Sequence, residues 1–307
     1  MDRLQAMKTF VKVAEHGGFA EAGRSLGMSP PAVTRAIAFL ENAIGASLLT
    51  RTTRSVKLTE AGERYLSDCH RILSDISDAE ASAAGLHAHP TGTLCVTAPV
   101  LFGSLHIRPI IASYLDAHPR VNVRAIFVDR NVNLIEEGID VALRIGALPD
   151  SELQAVAVGA VRRIVCASPA YLRKHGTPRQ PSDLAEHQIV VASSSSQLLE
   201  WRFGKKTTVS VTPRVTCNLN DVAINMAIEN FGVTRVLSYQ VAEAIERGRL
   251  KAILTDFEPE PIPVHLLHTG GRGPSAKVRS FIDFAVEKLR ASPALHGGVR
   301  SRPAQRS

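Results

Sequence analysis

Phe19-Ala20-Glu21-Ala22-Gly23-Arg24-Ser25-Leu26-Gly27-Met28-Ser29-Pro30-Pro31-Ala32-Val33-Thr34-Arg35 is the stretch on which the reading of this chain turns. It holds two helical patterns around a tight turn. A short helix covers Ala20 to Leu26, and Gly27 suits its left-handed end. Ser29 suits an N-cap, and Pro30 the first helical position, where no N–H is needed. A residue before proline avoids the α region, which again places Ser29 outside the helix. The helix opened there runs to about Ala43, with Val33, Ile37, Leu40 and Ile44 facing inward. Upstream, Leu4, Met7, Phe10, Val11 and Ala14 recur at helical spacing until Gly17-Gly18 ends the run. Two helices joined by a Gly-containing turn form a helix-turn-helix, whose second helix meets base edges in the major groove. Pro30, Pro31, Thr34, Arg35 and Ala38 then point outward. Thr34 offers a hydroxyl and a methyl, and Arg35 can fork onto guanine or a phosphate. On spacing alone, a plain three-helix bundle with a solvated arginine stays open.

The next segment narrows that choice. Leu49-Thr50-Arg51-Thr52-Thr53-Arg54-Ser55-Val56-Lys57-Leu58 reads as a β-hairpin with three cations, four hydroxyl residues and no acid. Such a wing tracks the phosphate backbone through Arg51, Thr52, Thr53, Arg54 and Lys57, which makes binding salt-dependent. Together with Ser29, Pro30, Pro31, Thr34 and Arg35, these form the expected DNA-binding set. From Thr59 one long helix runs to about Leu86. Tyr65, Cys69, Ile72, Ile76, Ala79, Ala83 and Leu86 recur with a mean period of 3.5, the mark of a seam that packs on another helix. A helix of this length reaches ~42 Å. The expected partner is the same helix of a second subunit, with packing on the chain's own C-terminal part as the alternative. A dimer presents two reading helices, so a two-fold-related DNA site follows.

The chain has 307 residues, enough for about two domains. A hydrophobic fraction of 45% and a charged fraction of 21% exclude a disordered chain, a collagen and a coiled-coil rod. No apolar run approaches the ~20 residues needed to cross a bilayer. The first residues, Met-Asp-Arg-Leu-Gln, lack the apolar segment of a signal peptide, so the expectation is a cytoplasmic protein without membrane contact. Cys69, Cys95, Cys166 and Cys217 lie far apart without a CxxC, which points to reduced, buried thiols and no zinc site; a redox pair stays open. The net charge of +7 does not locate a DNA surface. Residues 1–88 carry 10 basic and 10 acidic residues, and the excess lies beyond them.

His87-Ala88-His89-Pro90-Thr91-Gly92 breaks the helix. Beyond it, strand-like runs (Leu94–Thr97, Val121–Val128, Val141–Ile145, Ile164–Ala167, Val209–Val211, Val264–Leu267) alternate with helical ones (Leu105–Ala117, Asn220–Asn230, Tyr239–Arg247, Ser275–Ala291). This alternation predicts an α/β region with largely parallel sheets. The tail, Ser292 to Ser307, has Pro, Gly and three arginines without an acid, and reads as disordered. The expected division is 1–58 winged helix-turn-helix, 59–88 linker and dimerisation helix, 89–291 effector-binding region, and 292–307 tail.

The first stretch, with Ile37, Leu40-Glu41, Gly45, Leu48-Leu49, Arg51-Thr52-Thr53-Arg54 and Leu58-Thr59-Glu60-Ala61-Gly62, resembles the signature of LysR-type transcriptional regulators. Gly23 stands where that family usually has Ala, Leu49 where Phe is usual, and Pro31 is a less common choice. The resemblance continues through Gly92-Thr93-Leu94, Val96-Thr97-Ala98-Pro99, Gly138–Gly146, Leu148-Pro149-Asp150-Ser151, Tyr171-Leu172, Pro181–Leu184 and Asn220-Asp221. It implies a fold of α plus α/β class: a winged helix-turn-helix, a long linker helix, and a periplasmic-binding-protein-like effector domain of two subdomains around a ligand cleft. It also implies a homodimer, often paired into a homotetramer, binding double-stranded DNA and a small-molecule effector, with RNA polymerase as a possible contact.

Ligands of open α/β sheets sit beyond strand C-termini, at helix N-termini. That places Thr97, Ala98 and Val100 after the first strand, where N–H groups can meet an organic anion, and Phe102 at the pocket or in the core. Asp129 follows the second strand and Arg144 ends the third. Ser193 opens a polar loop, Asn218 and Asn220 precede a helix, and Thr234 follows it. Caps and a structural ion pair are the plainer readings of the Asn residues and of Arg144. Arg235 either pairs a carboxylate ligand or points to solvent. Subdomain one is expected at 92–162 plus 268–291, and subdomain two at 163–267. No GxSxG, P-loop, GxGxxG after a strand or metal cluster is present, so no enzyme, cofactor or metal is expected. A DNA-binding regulator without a metabolite ligand, controlled by oligomer state or concentration, remains the alternative function.

Overall fold

Asp2 opens the first helix by accepting the Leu4 N–H on its carboxylate at 3.2 Å. In the computed structural model, which describes residues 2–51, 56–83, 90–148, 153–193, 199–204, 207–269 and 274–296, this helix is α1 (Arg3–His16). It packs with α2 (Phe19–Leu26) and α3 (Pro30–Ile44). Gly27 ends α2 at φ +63°, in the left-handed region. Ser29 stands at the N-cap of α3 in extended conformation; its carbonyl, rather than its side chain, accepts from Ala32 and Val33. Then come the paired strands β1 (Leu49–Arg51) and β2 (Val56–Leu58), and the long helix α4 (Glu60–Ala83). Thr59 caps α4, its Oγ1 accepting from Gly62 N at 3.0 Å.

The first half of α4 belongs to the head. Cys69 is fully buried with Phe10, Ile37, Leu40 and Leu48, and Tyr65, Leu66, Ile72 and Leu73 pack on the same core. Tyr65 and Phe10 lie with ring centroids 5.8 Å apart. Tyr65, Cys69 and Ile72, expected on a seam for a second subunit, are therefore spent inside one chain. The period was real, but α1 is the helix it matches. Leu86 and the His pair fall outside the described residues, as do the side chains of Ala79 and Ala83.

The effector region begins with β3 (Gly92–Ala98), which leads into α5 (Val100–Phe102), a π-helical turn at Gly103–Ile107, and α6 (Arg108–Ala117). β4 (Val121–Phe127), β5 (Val141–Ile145) and β6 (Leu153–Val161) follow. The chain then crosses to β7 (Arg163–Ala167), α7 (Pro169–His175), β8 (Ile189–Ala192), the hairpin β9 (Leu199–Phe203) and β10 (Thr207–Val211), β11 (Val215–Cys217), α8 (Asn220–Ile228), β12 (Val233–Leu237), α9 (Ser238–Glu246) and β13 (Lys251–Ile253). It returns through β14 (Ile262–Thr269) to α10 (Ala276–Arg290). Two five-stranded sheets result, ordered β4-β3-β5-β14-β6 and β11-β8-β12-β7-β13.

Three expectations are corrected here. The sheets are mixed: β14 runs antiparallel to both neighbours, and β7 antiparallel to β12 and β13. The second crossover precedes β14, so Val264–Leu267 lies in the first subdomain. Val264 and Leu266 are fully buried in its core with Phe281 of α10, and that burial holds the strand there. The tail does not begin at Ser292. Leu295 is 1% exposed in the same core, and His296 bridges to Ala160. Gly159 (φ +153°) permits this, since a Cβ there would lie 2.6 Å from the Leu295 carbonyl oxygen. Residues 297–307 lie outside the described residues.

Candidate nucleic-acid interface and effector cleft

Burial of Val33, Ala36, Ile37 and Leu40 turns the opposite face of α3 outward. Ser29, Pro30, Pro31, Arg35 and Ala38 are exposed on it, and Thr34 is half-buried. Phe39, 37% exposed, adds an apolar side chain one turn beyond Arg35. Thr50 and Lys57 face each other across β1 and β2, both exposed. Thr52, Thr53 and Arg54 lie outside the described residues, as does the Arg51 side chain. One residue beyond the expected set fixes the geometry. Glu41 Oε1 accepts from Leu48 N at 2.8 Å and Leu49 N at 3.2 Å, so the reading helix carries the anchor of the wing. The signal was available: a carboxylate one turn before the helix end, followed by Gly45 and a strand whose first N–H groups need acceptors.

The expected effector residues separate into groups. Thr97 and Ala98 are buried at the end of β3, with Thr97 Oγ1 donating to the Ile126 carbonyl at 2.7 Å. Val100 N donates to Asp129 Oδ1 at 3.0 Å. The N–H expected to greet a ligand anion already has one, supplied by the chain. At the end of the second sheet, Ser193 N donates to Cys217 O at 2.8 Å, which brings Ser193 beside exposed Asn218 and half-buried Asn220. Neither Asn caps α8; Leu219 holds that position without a side-chain bond.

Phe102, Thr234 and Arg144 do not join these groups. Phe102 is fully buried, its ring centroid 5.0 Å from Tyr239 and 4.8 Å from His106. Thr234 is fully buried in mid-sheet opposite Cys166, and its hydroxyl has no partner among the described residues. Arg144 points from β5 toward the 131–135 loop, donating to Val132 O at 3.3 Å. Arg235 does neither of the things expected of it. It stacks over Trp201 and Phe203, at 5.6 and 4.9 Å from the ring centroids, and donates to the Arg202 carbonyl. Burial, with Arg163 nearby, brings its guanidinium down to about 10.

Among the described residues no cluster of His, Cys, Asp and Glu is placed to hold a metal. The cysteines are free, and burial pushes Cys95 to about 11 and Cys69 and Cys166 to about 12, far from the reactive thiolate. No helix of the described residues is long and apolar enough to cross a membrane.

A winged reading head on a long helix, joined to a two-sheet region with polar loops at its strand ends, defines a DNA-binding regulator with a sensor domain. The family models agree. Residues 4–63 match the bacterial regulatory helix-turn-helix protein of the lysR family, and residues 87–290 match the LysR substrate binding domain. The chain belongs to the LysR family of DNA-binding transcriptional regulators. It is similar to the regulator CrgA of Neisseria meningitidis serogroup B, with 30% identity over 93% of this chain and 96% of that one. The solved CrgA structure superposes with a TM-score of 0.61 over 93% of this chain and 98% of that one. Full-length AphB of Vibrio cholerae, a virulence activator, gives 0.59 at 25% identity, covering 94% and 99%. Named relatives include a transcriptional repressor of Pseudomonas aeruginosa (31% identity, 96% and 95% covered) and the activator AaeR of Escherichia coli (31%, 97% and 98%). Both signs of regulation thus occur at the same distance from this chain.

Proposed function

We propose that this cytoplasmic protein reads a two-fold-related promoter site as a homodimer, or a pair of dimers, and that a small molecule between its sensor subdomains sets its activity. The observation that carries the reading is the outward face of α3, where Pro30, Pro31 and Arg35 are exposed and Thr34 is half-buried, beside a wing bearing Lys57. Arg35 and Thr34 read base edges, and Ser29, Arg51, Thr52, Thr53, Arg54 and Lys57 fix the register on phosphates. Val100 and Asp129 from one sheet and Ser193, Asn218 and Asn220 from the other line the effector cleft. Asp129 already holds the Val100 N–H, so the organic anion expected as effector draws on other donors of the cleft, such as the side-chain amides of Asn218 and Asn220. A ligand acts only through its different affinity for two arrangements of the dimer, which in turn alters DNA bending or contact with RNA polymerase.

The test is anisotropy titration of the full chain on a duplex from the DNA upstream of its own gene, against a shuffled duplex, at two salt concentrations. Wild type binds the first tightly and the second weakly with a steep salt dependence. Arg35→Ala loses about 5- to 150-fold on the specific duplex, the equivalent of about 1–3 kcal/mol for a bidentate base contact, while its dimerisation is unchanged. Wild-type affinity in Arg35→Ala removes that residue from the reading set. Lys57→Ala weakens both duplexes alike and lowers the salt slope by about one.

A further inference from the structure

On the first subdomain, the 131–135 loop lines an open groove of about 520 Å3 together with Arg144 of β5 and Leu153 of β6; neither Val100, Asp129 nor any described residue of the second subdomain is in its lining. Strand alternation puts Arg144 on the face of Ala142, which packs with Leu134, Ile139 and Leu267 and not with the main core of this subdomain. Among the described residues Arg144 makes one hydrogen bond, the 3.3 Å contact to Val132 O, and pairs with no carboxylate. A guanidinium has five donors in a planar fork, so most of its capacity is unspent. His265 lies directly opposite Arg144 in the β5–β14 register and therefore on the same face, and its Nδ1 is buried without a partner among the described residues. The other walls are four apolar residues, Val132, Leu134, Leu153 and Ile135, the last 58% exposed, with the amides of Asn131 and Asn133 between them. A cation with free donors in a groove walled largely by aliphatic side chains fits a carboxylate carried on an apolar body.

We propose that this groove is a second small-molecule site, distinct from the cleft between the subdomains, and that it takes an apolar monocarboxylate seated on Arg144. The loop above it is stiff. Arg130 grips Glu137 in two bonds of 2.8 and 2.6 Å, and Asn133 Oδ1 accepts from Ile135 N at 3.1 Å. Its far side touches the linker helix, where Ser67 Oγ donates to Glu136 O at 3.0 Å. An occupant of the groove therefore bears on the segment that holds α4, the helix that carries the reading head.

The experiment is a thermal-shift titration of the full chain with benzoate and with hexanoate, each against its uncharged amide and against chloride at equal ionic strength. At least one carboxylate stabilises the wild type by saturable binding, and its amide does not. Arg144→Gln loses the shift. Ile135→Glu, a change at an exposed rim position that leaves the core intact, loses it too by placing a like charge at the mouth. Asn218→Ala, in the cleft, keeps it. The proposal is overturned if neither carboxylate exceeds the chloride control, if Arg144→Gln and Ile135→Glu respond like the wild type, or if Asn218→Ala abolishes the shift. DNA binding and its Arg35 dependence are read separately and do not depend on the outcome.

Discussion

Glu41 shows how a single side chain can position an interface without touching the ligand. Its carboxylate satisfies two backbone N–H groups at the start of β1, so the wing is tied to the reading helix. Removing the acceptor from a part-buried pair of donors costs about 1–3 kcal/mol. Glu41→Ala should lower the melting temperature and weaken specific and shuffled duplexes together, as seen by calorimetry and anisotropy; a loss on the specific duplex alone would give Glu41 a reading role instead. Gly23 was legible in the sequence only as a poor helix former. The structure supplies the reason for it, since a Cβ at this position would meet the Met28 carbonyl oxygen at 2.7 Å. Gly23→Ala gains about 1 kcal/mol of helix propensity, but the turn between α2 and α3 must move to admit the methyl, and we expect a net fall in melting temperature. A rise would show that the turn yields freely. Arg235 was beyond reach of the sequence, because the aromatic rings it stacks on lie on a hairpin more than thirty residues away, and only the tertiary fold brings them together.

At the scale of elements, the sequence displayed periods well and partners poorly. The reading helix, with its proline start and glycine end, follows from local rules that need no tertiary knowledge. The 3.5-residue stripe on the linker was equally plain, but a stripe says only that a neighbour exists. Here the neighbour of Tyr65, Cys69 and Ile72 is α1. The loop from Asp129 to Gly138 gave no periodic signal, because it is held by side-chain bonds of Arg130, Asn133 and Glu137. Its arginine clamp keeps the Glu137 carboxyl below its ordinary value. The bond from Ser67 to Glu136 is exposed, so Ser67→Ala should leave the melting temperature nearly unchanged while hydrogen exchange across 133–138 speeds up. Unchanged exchange would mean that α4 and the loop move independently.

For the molecule as a whole, alternating α and β patterns established the class, and the resemblance supplied the two subdomains. The pairing of β14 between β5 and β6 was not visible, since antiparallel return strands and parallel crossovers have the same apolar runs. Acid stability is a property at this scale. Burial holds His70, His106 and His187 below the ordinary histidine value of 6.5, so the unfolded chain binds more protons than the folded one as acid is added. The stability these groups contribute is complete above about pH 6.5 and is lost as the pH falls through their lowered folded values. The melting temperature should be level from pH 8 to 7 and decline below 6.5, and His106→Phe should flatten part of that decline. A profile level down to pH 5 would contradict it.

The burial of Cys69 beside Phe10 also determines where the gene can be cut. Regulators of this architecture invite the grafting of one protein's reading head onto another's sensor, and the wing's last strand looks like the natural splice point. A junction at residue 58 would strip Tyr65, Cys69 and Ile72 from beneath α1 and replace them with side chains shaped for a different helix. A junction past Leu73 moves the head with its own floor. Chimeras of the first kind should bind DNA poorly whatever their operator, and those of the second should carry the donor's sequence preference with them.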